Sequence, residues 1–463
     1  MSMTTMSLTT KLRTALLLTM YATALPALAM DYNRNVRIET WAAQALTADG
    51  PEADVAANRL RDAGSRSVDV LLAMRKAAAD PSRIDALIDR VAGQRYACVS
   101  GLYWHTDLEK AKAEAAVSGK PILSLRLLGK LTEEFSCANS RFFRTTLYAN
   151  EEIARQLHER FVLHWKSVRP VPRVTIDFGD GRKIERTVTG NSVHYLLAAD
   201  GQPLDALPGL YGPRQFQRWL GEAELLHENT RSLATADRSA YLRQYHVEHE
   251  RQISSRWARD LAAVAPDRPR DSATEPQSEA AVVDVPAELT AKLPSTLKPS
   301  VVRATEIARP KGMVEMPILR LLAHDPAQLA AKTTDEAWSK IAARAEHAVE
   351  LDQSTRRLIR QENPAAVAGA LAVTKRKVED PILRLVRDLE SSIAMDSVRN
   401  EYTLHRQLHG WFAAGAIGAD VDQLNERVYA ELFLTPSSDP WLGLTEGDAY
   451  TALENGGVVT TTP

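Results

Sequence analysis

Cysteine is nearly absent: Cys98 and Cys137 are the only two in 463 residues. At most one internal disulfide can form, and a chain this long is not limited by core size. Neither cysteine has a second one at Cys-x-x-Cys spacing, since Ser140 stands three residues after Cys137. A dominant sign of charge is missing too. The 57 Lys and Arg against 59 Asp and Glu leave a formal net charge of −2, without the clustered basic surface that nucleic-acid binding needs. Past the N-terminus no long apolar run occurs, which argues against a stable helical membrane span.

What the N-terminus does have is the pattern of a secretory signal. Lys11 and Arg13 form a positive region, Thr14 to Leu25 is a short apolar run, and Ala27-Leu28-Ala29 is a small-x-small cleavage site. Residues 1–29 are therefore expected to be removed, leaving a periplasmic or secreted chain. Loss of Lys11 and Arg13 takes the formal charge from −2 to −4. In an oxidising compartment Cys98 and Cys137 are a disulfide candidate, and closing the loop between them would contribute roughly 3–4 kcal/mol.

Residues 30–97 read as a helical N-terminal segment. One helix is expected over Pro51 to Ala63 with Val55, Ala56 and Leu60 on its buried face and Gly64 as its stop. Ser67 caps the next helix. Asp80-Pro81 starts a third with Ile84, Leu87, Ile88 and Val91 at helical spacing. Residues 98–232 change character. Leu102-Tyr103-Trp104 is strand-like, Leu108 to Val117 is an Ala/Lys/Glu-rich helix, and Pro121 to Leu128 is a buried strand. After a helix at Cys137 come the strand Phe161 to Trp165, a hairpin across Gly179-Asp180-Gly181, another across Asp200-Gly201, and a helix from Pro213. Strands alternating with helices and ending in a hairpin argue for an α/β sandwich with a mixed sheet. A long helix follows over 233–264, then a Pro-rich linker over 265–312, then a helical C-terminal domain over 313–463.

The middle region resembles the thioredoxin-like superfamily. The similarity lies in the aromatic segment Tyr103-Trp104, the helix Leu108 to Val117, the Gly119-Lys120-Pro121 turn and the strand Ile122 to Leu128. The Asp200-Gly201 turn and the helix after Gly212-Pro213 follow in the family's order. The resemblance implies an α/β thioredoxin-like sandwich flanked by all-α N-terminal and C-terminal segments. It puts the family's Cys-x-x-Cys on Cys137-Ala138-Asn139-Ser140. The chain departs from the pattern in three ways: Ser140 replaces the resolving cysteine, the link from Leu128 to Cys137 is long, and no proline stands near Asn191-Ser192.

Cys137 thus has three readings: a structural thiol, buried or bridged to Cys98; a reactive single thiol with hydrogen bonds from Asn139 and Ser140; or a vestigial thiol in a binding module. Cys98 is structural or resolving. Activity, where present, would be of the thiol–disulfide oxidoreductase or thiol peroxidase type, on a protein thiol. The alternative is a scaffold whose helical segments bind a protein partner. No cofactor is implied. His405 and His409 lie four apart on a helix, a spacing that can chelate, as do His246, His249 and Glu250 nearby in sequence to one another. No third ligand is evident for His405 and His409, and His249 lies along a face with Leu242, Ile253 and Trp257, so these histidines read as core or surface residues and no metal is assigned.

Overall fold

The computed structural model describes residues 33–187, 190–264, 335–345, 349–363, 381–415, 418 and 420–442. The expected signal segment and Pro-rich linker lie outside these residues. The described chain forms two compact units, divided between Tyr103 and Trp104.

The first unit is helical: α1 (33–47), α2 (Pro51–Asp62), α3 (Ser65–Ala77), α4 (Ser82–Ala92) and a single turn, α5 (Ala97–Ser100). Its core joins Ile38, Leu60, Val68, Leu71, Leu87, Ile88 and Val91. Asp80 accepts a hydrogen bond from the Ser82 N–H at 3.0 Å, so the Asp-Pro start signal operates within one residue of its expected place. Two expectations fail. Val55 is exposed, because the buried face of α2 runs through Ala56, Ala57 and Leu60. Ser67 is not a cap: α3 begins two residues earlier, with Gly64 as its N-cap, and Ser67 is buried in the first turn.

The second unit is built on a mixed four-stranded sheet, with strands in the order β2-β1-β5-β6. Its elements begin α6 (Leu108–Ser118), β1 (Ile122–Leu128), α7 (Ala138–Phe142), a π-helical turn (Phe143–Leu147), α8 (Glu151–Arg160) and β2 (Val162–Arg169). A separate hairpin, β3 (Arg173–Asp177) and β4 (Lys183–Thr187), follows. Then come β5 (Ser192–Leu197), β6 (Pro203–Pro208), α9 (Pro213–Thr230) and the long α10 (Thr235–Val264). β1 runs parallel to β2 and antiparallel to β5, and β6 is antiparallel to β5. Leu102-Tyr103-Trp104 forms no strand; one bridge, His105 to His164, touches the outer edge of β2 instead.

All seven residues of β1 are buried, but its two faces differ. Leu123, Leu125 and Leu127 alternate with Ser124 and Arg126. Ser124 Oγ lies 2.8 Å from His164 Nδ1, and Arg126 donates to Ser124 Oγ at 3.1 Å, so one face carries a buried polar row. The opposite face is aromatic. His194 sits between Phe143 and Phe216, with its Nε2 at 2.8 Å from the Tyr148 hydroxyl.

Among the C-terminal helices, the described ones pack on this same unit. They are α11 (Asp335–Ala345), α12 (Gln353–Glu362), α13 (Pro381–Asn400), a π-helical turn (Glu401–His405), α14 (Arg406–Ala413), α15 (Val421–Arg427) and a final π-helical turn (Val428–Leu432). The helices read separately around Pro381 and Leu408 are thus joined without a break. Asn400 donates to the Leu210 carbonyl at 2.9 Å, and Ser397 Oγ accepts from the Gly212 N–H at 2.8 Å. Gly209 has φ +86°, and a Cβ there would lie 2.4 Å from Asn400 Nδ2, so glycine is required on both counts. No described helix is long and apolar enough to cross a membrane.

Candidate functional site

The thiol comes first. Cys137 is the N-cap of α7, and its N–H donates to the Leu128 carbonyl at 3.2 Å, which fastens it beside the end of β1. The long link between them is closed by Arg144, which donates to Ser136 Oγ at 3.0 Å and to the Glu134 carbonyl at 3.0 Å. The Cys137 S–H faces the Asn191 carbonyl oxygen at 4.0 Å. Asn191, where the thioredoxin-like pattern would have a proline nearby, is the residue whose carbonyl meets the thiol.

The sulfur is closed to solvent; Cys137 is 0% exposed. The C-terminal segment forms part of the cover. Tyr429, itself fully buried, donates to the Asn191 carbonyl at 3.0 Å, and Asn425 accepts from the Tyr195 hydroxyl at 3.3 Å. Asp422 accepts from Arg126 at 2.9 Å and from Lys166 at 2.7 Å. Burial pulls the Arg126 guanidinium below its usual value, while Asp422 opposes that fall. Asp422 is pushed up by its own partial burial, but Lys166 and Arg126 outweigh this and hold it below the usual carboxylate value.

The other two residues of the expected motif are engaged in building the fold. Ser140 Oγ donates to the Cys137 carbonyl at 3.0 Å, and Asn139 donates to Ser192 Oγ at 2.7 Å. Gly190 closes on the same spot: a Cβ there would lie 2.8 Å from Asn139 Oδ1. Both cysteines are free thiols, so the candidate Cys98–Cys137 pair is not bridged in this structure. Cys98 is pushed up to about 11 by burial, with Asp85 and Asp89 adding to the rise. A thiol with that pKa is a poor nucleophile near neutrality.

A second cluster lies at the sheet edge, where sequence reasoning saw two unrelated histidine groups. The fold brings them together: His246 and His249 from α10, Glu401 and His405 from the π-helical turn, His409 from α14, and Asp205 from β6. His249, Glu401, His405 and His409 border a cleft of about 590 Å³ lined also by Tyr211, Gln215, Glu222 and Arg256. One ligand atom from each of Asp205, His405 and His409 lies within 4.8 Å of the others, and all three residues are buried.

The hydrogen bonds fix the tautomers. His246 Nε2 lies 3.0 Å from the Leu204 carbonyl, which can only accept, so Nε2 carries the proton and Nδ1 accepts. His246 Nδ1 lies 2.7 Å from His409 Nδ1, so the proton between them belongs to His409. The remaining His409 nitrogen, Nε2, is then a bare lone pair. It is buried and has no hydrogen-bond partner among the described residues. His405 Nδ1 lies 2.9 Å from Glu401 Oε2, and His405 Nε2 is likewise buried without a partner. Asp205 accepts from Trp219 Nε1 at 2.9 Å and from the Ala206 N–H at 2.8 Å, which leaves lone pairs on its carboxylate.

Charge is arranged around these atoms. Burial disfavours a proton on His405, but the Glu401 carboxylate outweighs it and holds the imidazole above its ordinary value. Burial, with the neighbouring His405 and His246, holds His409 well below it. Burial lowers His246 to about 4. Three more buried atoms without partners among the described residues crowd the same place: Tyr211 Oη, Gln215 Oε1 and Tyr245 Oη. Each such group costs about 1–3 kcal/mol, so a concentration of them needs a physical reason. Sequence reasoning missed this cluster because Asp205, in the strand run after Gly201, carries no local signal that it faces a helix 200 residues later.

Comparison with protein-family models, with curated proteins and with solved structures found no match.

Proposed function

We propose that this is an exported protein with a thioredoxin-like domain in which the thiol is structural, and that it acts in protein binding rather than in dithiol exchange. Several features support a thioredoxin-like reading of the sheet. The strand order is β2-β1-β5-β6 with a parallel β1–β2 pair, a hairpin and a closing helix. A thiol at the helix N-cap after β1, facing the backbone that precedes β5, supports it further. The observation that carries the functional half is the burial of Cys137 beneath the chain's own C-terminal segment, where Tyr429 bonds the Asn191 carbonyl that a substrate backbone would need. A sulfur must be reached before it can attack a disulfide, and Ser140 could not release the mixed disulfide afterwards.

The test is an insulin-reduction assay with the reduced full chain and dithiothreitol. The expected rate equals that of dithiothreitol alone. Clear acceleration by the wild-type chain that disappears in Cys137→Ser would overturn the reading.

A further inference from the structure

We propose that Asp205, His405 and His409 form a binding site for a first-row divalent metal ion, with zinc the best match to two imidazoles and one carboxylate. The proposal is independent of the reading of Cys137. It rests on three observations. One ring nitrogen of each histidine and one carboxylate oxygen of Asp205 already lie within 4.8 Å of one another. Both imidazoles keep Nε2 buried and without a partner among the described residues, while Nδ1 of each is committed to a neighbour. Further orphaned polar atoms, Tyr211 Oη, Gln215 Oε1 and Tyr245 Oη, gather around the same cluster.

The surroundings are those a metal ligand requires. A ligating imidazole is oriented by a partner on its other nitrogen. His405 has the Glu401 carboxylate, which is in turn held by Arg256 at 2.6 Å. His409 has His246, which is anchored on the Leu204 carbonyl. This relay dictates that the free electron pair of His409 sits on Nε2. A hydrogen-bond donor could have satisfied that nitrogen, yet none of the described residues supplies one. Donors bound to zinc at 2.0–2.2 Å stand about 3.3 Å apart in a tetrahedron, so each pair need close by at most about 1.5 Å. Three protein ligands leave one position open, and His405 and His409 both line the cleft from which a water or small ligand would enter. The π-helical turn contributes directly. It spans Glu401 to His405, and such turns recur at functional sites because they re-aim side chains within a helix.

The experiment uses the untagged full chain, stripped with chelator and titrated with Zn²⁺ alone and with Co²⁺ alone. Elemental analysis after gel filtration should give one zinc per chain, and Co²⁺ should produce the visible absorption of an ion with nitrogen and oxygen ligands. Zinc should also raise the thermal unfolding midpoint of the wild-type chain. Asp205→Asn and His409→Gln should remove stoichiometric binding. Glu401→Gln, which leaves all three ligands in place, should weaken it by about 10–100-fold. His158→Ala, at an exposed histidine on α8, should change nothing. A wild-type chain that binds no zinc and shows no shift in unfolding midpoint would overturn the proposal without recourse to any variant. So would binding that survives in folded Asp205→Asn and His409→Gln chains.

Discussion

The thiol pocket and the histidine cleft are built at the same sheet and differ in what they leave over. Around Cys137 the polar groups of the expected motif are spent on the fold: Ser140 on the Cys137 carbonyl, Asn139 on Ser192, and the Asn191 carbonyl on Tyr429. Around the cleft, two imidazole nitrogens, two hydroxyls and an amide oxygen are buried with no hydrogen-bond partner among the described residues. On the proposed reading, a motif in its expected place is inert because its atoms are fully employed. Residues without a motif can form a site when the fold strands their lone pairs.

The largest expected effect breaks the seal over the thiol. Tyr429→Ala removes a fully buried ring and its hydrogen bond to Asn191, which should cost about 3–5 kcal/mol in a denaturant titration. The same variant should make Cys137 reactive toward small alkylating reagents. A loss below about 1 kcal/mol would show that the C-terminal cover does not hold the pocket shut.

Next comes acid, which separates satisfied from orphaned histidines. His194 is buried among aromatic rings and pushed down to about 3 from an ordinary 6.5, while its Nε2 is satisfied by Tyr148. The folded form therefore binds fewer protons than the unfolded one between about pH 6.5 and 3. Stability from this residue is present above 6.5 and falls with pH through that window. By pH 5 the loss is about 2 kcal/mol. Unfolding titrations at pH 7 and pH 5 should show it, and His194→Phe should reduce the difference by about that amount. An unchanged difference would mean that His194 takes up a proton inside the fold.

Smaller still is the contact behind the thiol. Gly190→Ala places a methyl 2.8 Å from Asn139 Oδ1 and should cost about 1–2 kcal/mol, read as a lower unfolding midpoint. The smallest effect belongs to Cys98→Ser. With both thiols free, it should change stability by less than about 1 kcal/mol and leave Cys137 as unreactive as before. A loss of several kcal/mol would point to a bridge.

Much of the fold was legible because local chemistry dictated it. Asp107 caps α6 by accepting from the Glu109 N–H, Gly119 ends it at φ +70°, and Asn150 caps α8 by accepting from the Ile153 N–H. The hairpins formed across Gly179-Asp180-Gly181 and Asp200-Gly201, where glycine and aspartate favour turns. The polar row on β1 was also written in the alternation of Ser124 and Arg126 with leucines, though the strand reads at first as uniformly buried. What could not be read was long-range. Nothing local says that Asp422 pairs with Arg126, that Tyr429 covers Cys137, or that Asp205 faces His409. Those contacts arise from packing between elements some 200 or more residues apart, and sequence periodicity reports only which face is apolar, not what meets it.

The most direct measurement is the alkylation of Cys137 in the reduced, native full chain, followed by mass spectrometry with and without denaturant. Cys137 should stay unlabelled while the chain is folded and become labelled once it is unfolded, with Tyr429→Ala labelled under native conditions. Labelling of Cys137 in the native wild-type chain at the rate of an unstructured thiol peptide would contradict the sealed, structural thiol on which the proposed function rests.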